Sequence, residues 1–130
     1  MKTFKKYYTV PSSPDQVYLA LTNPITIQLW TGAEAVMSTE AGTEFSLWNG
    51  DIVGKNIEFE LNKKIVQNWY FEGKTDESIV TFKLHEGKKK DSTSVELIHT
   101  NIPDEDYEDF VAGWDEYYFG SLIEFFTEED

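Results

Sequence analysis

The sequence lacks both cysteine and arginine. None of its 130 residues is a cysteine, and all 11 basic residues are lysines. The absence of cysteine excludes disulfide scaffolds, thiolate metal sites and cysteine nucleophiles. The lysines stand against 24 acidic residues, which gives a formal net charge of -13 at pH 7. Such a chain has no basic patch for phosphates, so we expect neither nucleic-acid binding nor attraction to an anionic membrane.

Long apolar runs are also missing. No window approaches the roughly 20 apolar residues that a membrane-spanning helix needs. Residues 1–10 alternate lysine with aromatic side chains and do not form the apolar region of a signal peptide. We therefore expect a cytoplasmic protein without a membrane association.

Aromatic residues, in contrast, are plentiful. Hydrophobic residues make up 40% of the chain and aromatic residues 15%, with four Trp, seven Tyr and nine Phe. A chain of this length and composition is expected to fold as one domain with its own core, without help from metals or disulfides.

The negative charge is concentrated at the end of the chain. Residues 101–130 contain 11 acidic residues and no lysine. Apolar residues recur among these acids at helical spacing, and Pro103 followed by three acids is a favourable helix start. The pattern predicts an amphipathic helix over about 104–127. Its acidic face is either simply solvated or a docking surface for a lysine-rich partner.

The rest of the chain predicts one strand, two short helices and a run of strands. A strand at 2–10 ends at Pro11, Ser12 or Ser13 caps the first helix, and Asn23-Pro24 separates it from a second helix that ends at Gly32. Alternation and turn signals then predict six strands, at about 35–39, 43–48, 51–61, 64–72, 77–86 and 92–100.

Short connections between successive strands imply an antiparallel sheet. A long amphipathic helix that follows such a sheet must bury its apolar stripe, and the concave face of the curved sheet offers the place. The fold class expected is therefore α+β, a helix-grip with two short helices after the first strand.

Several motifs, in order along the whole chain, resemble one known family. They are VYLALTNP at 17–24, Trp30, GTEF at 42–45, Gly54, KIVQNW at 64–69, LIHTNIP at 97–103 and GW at 113–114. Their order is similar to that in the activator-of-Hsp90-ATPase-homologue-1-like family of the START/SRPBCC (Bet v 1-like) superfamily. Thr43 replaces the second glycine of the family's Gly-Gly-x-Phe turn, and the arginines common in these motifs are missing. The resemblance implies a single START/SRPBCC-like domain over residues 1–130.

Helix-grip domains commonly hold hydrophobic ligands between the sheet and the long helix. Because alternate side chains of a strand share a face, the inward positions can be assigned. The candidate ligand-binding residues are Trp30, Phe45, Leu47, Gln67, Trp69, Phe71, Phe82, Leu97, His99, Trp114, Tyr118 and Leu122. Gln67 and His99 would provide polar anchors. The same side chains would also fill a solid core, and the sequence leaves both possibilities open.

His99 is the one residue with a case for catalysis. Imidazole titrates near physiological pH, but a general base needs an orienting group, and the side chains assigned to its face are apolar apart from Gln67. We expect a buried, hydrogen-bonded structural histidine and no catalytic residue. His85 is expected at the surface. Two histidines on separate strands without paired carboxylates make a poor metal site, so neither a metal nor a cofactor is expected.

Three functions remain open at this point. The leading hypothesis is a non-catalytic helix-grip domain that binds a small hydrophobic ligand. The second, implied by the resemblance, is a protein-interaction module with a chaperone or another protein as its partner, similar to an Hsp90 co-chaperone. The third is a cyclase- or aromatase-like enzyme, since the superfamily includes such activities.

Overall fold

The computed structural model describes residues 1–71, 73 and 77–127. Its strands are β1 (Lys2–Val10), β2 (Glu44–Leu47), β3 (Ile52–Glu60), β4 (Lys64–Trp69), β5 (Ile79–Glu86) and β6 (Thr93–Ile102). Its α-helices are α1 (Pro14–Thr22), α2 (Pro24–Thr31), α3 (Tyr107–Gly113) and α4 (Phe119–Thr127). A π-helical segment (Trp114–Tyr118) joins α3 to α4, and short 3-10 turns cover Trp48–Gly50 and Asp104–Asp106. We call the run from α3 to α4 the C-terminal helix.

Within the described residues, the six strands form one antiparallel sheet in the order β1-β6-β5-β4-β3-β2. A bulge between Asn56 and Glu58 interrupts the pairing of β3 with β4. Bulges bend a strand and increase its twist, which favours a curved sheet. The C-terminal helix packs on one face of that sheet, where the Tyr118 ring lies 5.7 Å from the Phe82 ring. The expected α+β helix-grip fold is confirmed.

The short helices begin and end where local sequence predicts. Pro14 opens α1, and Asn23 closes α1 while its side chain accepts a hydrogen bond from Thr26 N–H, 2.9 Å away, to cap α2. Gly32 ends α2 in the left-handed conformation. The Ser13 hydroxyl makes no capping hydrogen bond to the first turn of α1, although Ser13 occupies the cap position.

The predicted strand at 35–39 is wrong. This stretch contributes one isolated bridge, in which Val36 N–H donates to Ser46 O at 2.8 Å and Ser46 N–H donates to Val36 O at 3.0 Å. Since β2 has only four residues, this bridge is enough to cover part of its outer edge. Five strands rather than six therefore follow α2 in the described part of the chain. The strand predicted at 64–72 stops at Trp69, and Glu72 lies outside the described residues.

The helix predicted at 104–127 is confirmed in extent but is not a uniform α-helix. It starts with a 3-10 turn and contains the π-helical segment in its middle. Its acidic residues from Asp104 to Glu124 are exposed except for the half-buried Asp106. Its buried side chains are Trp114, Tyr118, Phe119 and Leu122.

The strand faces also follow the predicted alternation. On β4, Ile65, Gln67 and Trp69 are buried while the residues between them are half-buried. The same alternation buries Val80, Phe82 and Leu84 on β5 and Val95, Leu97 and His99 on β6. These side chains meet the buried side of the C-terminal helix and form the core.

Tyr8 connects the edge strand β1 to the C-terminal helix through a ring contact and a hydrogen bond. Its ring stacks on Phe119 with 4.0 Å between centroids, and its hydroxyl donates a hydrogen bond to Asp115 Oδ1 at 2.5 Å. Lys6 Nζ donates to the same oxygen at 3.0 Å. Burial and the neighbouring Asp115 raise the pKa of Tyr8, while the hydrogen bond from Tyr8 lowers the pKa of Asp115. The phenol therefore stays protonated while the carboxylate stays charged.

We expect Tyr8→Phe to lower the free energy of unfolding by about 1–2 kcal/mol, because it removes a hydrogen bond to a charged acceptor while keeping the stacked ring. Urea unfolding followed by circular dichroism measures the effect. Tyr7→Phe is the matched control, since Tyr7 lies on the same strand and is 55% exposed. Equal unfolding free energies for the two variants would contradict this role of Tyr8.

Candidate functional site

A cleft of about 390 Å³ opens between the Trp48–Gly50 turn and the C-terminal helix. Buried Trp69, the last residue of β4, lies at its base. The other lining residues are Trp48, Asp51, Ile52, Asp109, Phe110, Gly113, Trp114, Tyr117 and Tyr118. This volume is within the range of about 300–1,000 Å³ that is typical of ligand pockets.

The turn on one side of the cleft has an unusual backbone. Trp48, Asn49 and Gly50 all have positive φ angles, of 51°, 58° and 97°. Left-handed conformations are costly for residues other than glycine, so surrounding contacts must hold them. Asn49 N–H donates to Glu34 O at 3.1 Å, and Glu34 N–H donates to Asn49 Oδ1 at 2.9 Å. The turn is thus fixed to the loop after α2.

The opposite side of the cleft is formed by the π-helical segment. A π-turn accommodates one extra residue, and here it allows both Tyr118 and Phe119 to be buried. The Trp114 ring lies 4.7 Å from the Tyr118 ring and 4.8 Å from the Trp69 ring. A Cβ atom at Gly120 would lie 2.8 Å from Asp115 O, so the wide turn requires a glycine there.

A chain of buried amides supports the base of the cleft. Trp69 Nε1–H donates to Gln67 Oε1 at 2.9 Å, and Gln67 Nε2 donates to Asn56 Oδ1 at 3.1 Å. Asn56 Nδ2 in turn donates to Ser38 O at 3.2 Å. Gln67, predicted as a polar anchor for a ligand, therefore uses both ends of its amide within the protein and orients the Trp69 indole.

His99 is held by two neighbours that fix its tautomer. Trp114 Nε1–H can only donate, so His99 Nδ1 accepts that bond at 3.1 Å. Ser78 Oγ donates to Thr100 O at 2.9 Å and accepts from His99 Nε2–H at 2.9 Å. Burial lowers the pKa of His99 to about 3. No carboxylate is among its hydrogen-bond partners in the described chain, and the expectation of a buried, hydrogen-bonded histidine is confirmed.

The residues predicted to line a cavity fall into three groups in the structure: those that line the cleft, those that pack beside it and those in the core. Trp69, Trp114 and Tyr118 line the cleft. Trp30 and Phe71 pack beside it, with ring distances of 5.1 Å from Trp30 to Tyr118 and 4.8 Å from Phe71 to Phe110. The remaining ones lie in the core: Phe45, Leu47, Gln67, Phe82, Leu97, His99 and Leu122. A ligand-binding role for these residues stays a prediction.

Much of the cleft is formed by residues whose role the sequence does not predict. Its turn side, with Trp48, Asp51 and Ile52, follows a sequence that signals only a turn. On its helix side, Asp109 and Tyr117 belong to the exposed face of an amphipathic helix. The one available signal was Trp48 beside Asn49-Gly50, since a tryptophan in a turn is unusual for a purely solvated loop.

The described residues also bear on metals and membranes. Across 1–71, 73 and 77–127, no group of three or more His, Asp or Glu side chains is placed to hold a metal ion. Among the helices in those ranges, none has the length and apolar character needed to span a bilayer.

Comparisons with known proteins agree on one family. The family described as Activator of Hsp90 ATPase homolog 1-like protein matches residues 11–127. The Dictyostelium discoideum activator of 90 kDa heat shock protein ATPase homolog is 31% identical over 117 residues, which are 87% of this chain and 30% of that protein. The human activator homolog 1 is 26% identical over 118 residues, 91% of this chain and 35% of that protein. The chain thus spans about a third of the length of these curated relatives.

A solved structure extends the comparison. The crystal structure of an Hsp90 activator from Plasmodium falciparum superimposes with a TM-score of 0.84 at 26% identity. The match covers 94% of both chains, so it includes the sheet, the short helices and the C-terminal helix together. The chain therefore belongs to the activator of Hsp90 ATPase homolog 1-like family, within the SRPBCC superfamily.

Proposed function

We propose that this protein binds an Hsp90-type chaperone and raises the rate at which the chaperone hydrolyses ATP. The likeness to the Plasmodium falciparum Hsp90 activator carries the proposal. It extends over 94% of the crystallised activator chain as well as 94% of this one. The proposed role is therefore assigned to the helix-grip domain.

The acidic exposed face of the C-terminal helix supports a role in protein recognition. Nearly all of the excess negative charge lies after residue 100, and the acids at 104–124 are exposed except for the half-buried Asp106. Concentrated charge of one sign steers a partner of opposite charge and suppresses wrong partners. The proposal thus includes a basic surface on the chaperone.

Isothermal titration of the full chain into purified Hsp90 from the same organism tests the binding. We expect saturable binding whose dissociation constant rises with salt, because interactions between exposed charges are screened beyond about 8 Å at physiological ionic strength. An unrelated acidic protein of similar net charge is the control. The proposal would be overturned if, at low salt, the titration gave no heat of binding and the two proteins did not elute together in size-exclusion chromatography.

A second candidate function is the binding of a small hydrophobic molecule. The cleft of about 390 Å³ is large enough for such a molecule. Native mass spectrometry of freshly purified protein tests it, since a bound molecule would add a defined mass. Ligand-free spectra, together with no response to apolar probes, would remove this candidate.

The remaining hypotheses have less support. An enzyme of the cyclase or aromatase type would need His99 as its base, and both ring nitrogens of His99 are engaged by Ser78 and Trp114.

A chaperone partner would accord with the cytoplasmic location expected from the sequence, and that location remains a prediction.

A further inference from the structure

The cleft combines an aromatic wall with negative charge. Six aromatic side chains line it: Trp48, Phe110 and Tyr117, which are partly or fully exposed, and the buried Trp69, Trp114 and Tyr118. Asp51 follows the turn on one side, and Asp109 lies on α3 on the other. Aromatic faces attract positive charge through their quadrupole, and carboxylates pair with cations by charge-assisted hydrogen bonds. The two features together are the chemistry that recognises an organic cation.

The charge on the cleft is not compensated within the described chain. Asp104 pairs with the N-terminus at 2.8 Å and Asp115 pairs with Lys6 at 3.0 Å. Asp51 and Asp109, in contrast, form no ion pair with any residue that the structure describes. The lining, within those same residues, includes no lysine. Both carboxylates are exposed and available to a ligand.

A neutral occupant would fit this cleft less well than a cation. An apolar group in the cleft makes no favourable contact with the two exposed carboxylates at its sides. A guanidinium or ammonium group does. Its alkyl stem packs on the rings while its charged end pairs with the carboxylates.

The cleft is also formed in advance of binding. The left-handed Trp48–Gly50 turn holds one side and the π-helical segment holds the other. Trp48 packs edge-on against Tyr118 with 5.9 Å between ring centroids, which ties the two sides together. Irregular backbone of both kinds is concentrated at functional sites, and a rigid site loses less entropy when it binds.

We propose that this cleft is a cation cage that receives an arginine or lysine side chain presented by the chaperone partner. The identity of the partner rests on the proposed function, whereas the chemistry of the occupant rests on the cleft. The net charge of -13 favours approach of a basic segment, and the cage then holds one basic side chain of that segment.

A pair of short peptides tests the chemistry of the occupant. One contains a single arginine among glycine and serine residues, and the other contains citrulline, a neutral isostere of arginine, at the same position. Titration of the full chain is followed by tryptophan fluorescence. We expect the arginine peptide to bind at least about tenfold more tightly than the citrulline peptide, from its cation–π contacts and the carboxylate pairing.

Two double variants separate the cage from general charge. Asp51→Asn with Asp109→Asn removes the carboxylates of the cleft and is expected to reduce the preference for arginine to within about threefold. Glu116→Gln with Glu124→Gln removes two exposed charges from the C-terminal helix outside the cleft lining and should keep the preference. Thermal unfolding of each variant verifies that the fold is retained.

The same variants are then titrated into the chaperone. The cage predicts about tenfold weaker binding for the Asp51/Asp109 variant. The Glu116/Glu124 variant loses the same number of charges and should bind only slightly more weakly, because it loses long-range attraction alone. Wild-type affinity for the chaperone in the Asp51/Asp109 variant would overturn the cage while leaving the proposed function intact. Discrimination between the peptides by a chain that does not bind the chaperone would support the cage and overturn the proposed function. Equal binding of both peptides, or binding of neither, would overturn the cage.

Discussion

Gly54→Ala is expected to destabilise the protein by about 3 kcal/mol or more, the upper end of overpacking effects. Gly54 pairs with Phe45 on one side and with Trp69 on the other in the sheet. A Cβ atom there would clash with Asn68 O and lie 2.8 Å from two carbons of the Phe45 ring. Because one obstacle is a backbone oxygen of the paired strand, a side-chain rotation cannot relieve the clash. The whole of the β2–β3–β4 region has to shift.

Gly113→Ala is the matched control for this prediction. Gly113 ends α3 with helical dihedral angles, and a Cβ atom there would have no neighbour within 4 Å. Alanine is the better helix former by about 1 kcal/mol, so this variant should be as stable as the wild type or more stable. Urea unfolding of both variants measures the contrast. A fold that tolerates Gly54→Ala as readily as Gly113→Ala would refute the close contact between β3 and β4.

The second large effect concerns acid stability through His99. In the folded protein the pKa of His99 is lowered to about 3 by burial, whereas an unfolded histidine has a pKa near 6.5. Below about pH 6.5 the unfolded chain binds a proton that the folded chain does not, so acid favours unfolding. The stability from this residue is complete above the unfolded pKa and is lost as the pH falls toward the folded pKa. Between about pH 6.5 and about pH 4.5 the expected loss is about 2–3 kcal/mol.

His99→Gln isolates this contribution. The glutamine amide retains an acceptor for Trp114 and a donor for Ser78 but does not titrate. We expect this variant to be less stable near neutral pH and to lose much less stability between about pH 6.5 and about pH 4.5 than the wild type. His85→Gln removes the other histidine, which is exposed and hydrogen-bonds Glu96 at 3.0 Å, and it should not flatten the acid slope. An unchanged acid slope in His99→Gln would show that His99 does not remain neutral in the folded protein.

Sequence reasoning succeeded where local patterns decide the structure. Alternation placed Ile65, Gln67 and Trp69 on the buried face, and Asn23-Pro24 marked the break between the short helices. It failed at 35–39, where residues with strand character form only one bridge. Whether such a stretch becomes a strand depends on the length of its neighbour β2, which the stretch itself does not encode.

Less of the candidate site than of the fold could be predicted from the sequence. Trp48 faces the C-terminal helix only because the turn around it is left-handed, and the π-helical segment depends on packing of both Tyr118 and Phe119. Helical periodicity assumes a constant turn and therefore misses that segment. The predicted residues Trp69, Trp114 and Tyr118 line the cleft because they lie where the filled core ends.

We propose that this helix-grip domain activates an Hsp90-type chaperone. The most direct measurement is the ATPase rate of purified Hsp90 against increasing concentrations of the full chain, with the rate that persists under an Hsp90-specific inhibitor subtracted. We expect a several-fold increase that saturates at the concentration where titration shows complete binding. An unchanged ATPase rate at full occupancy would contradict it.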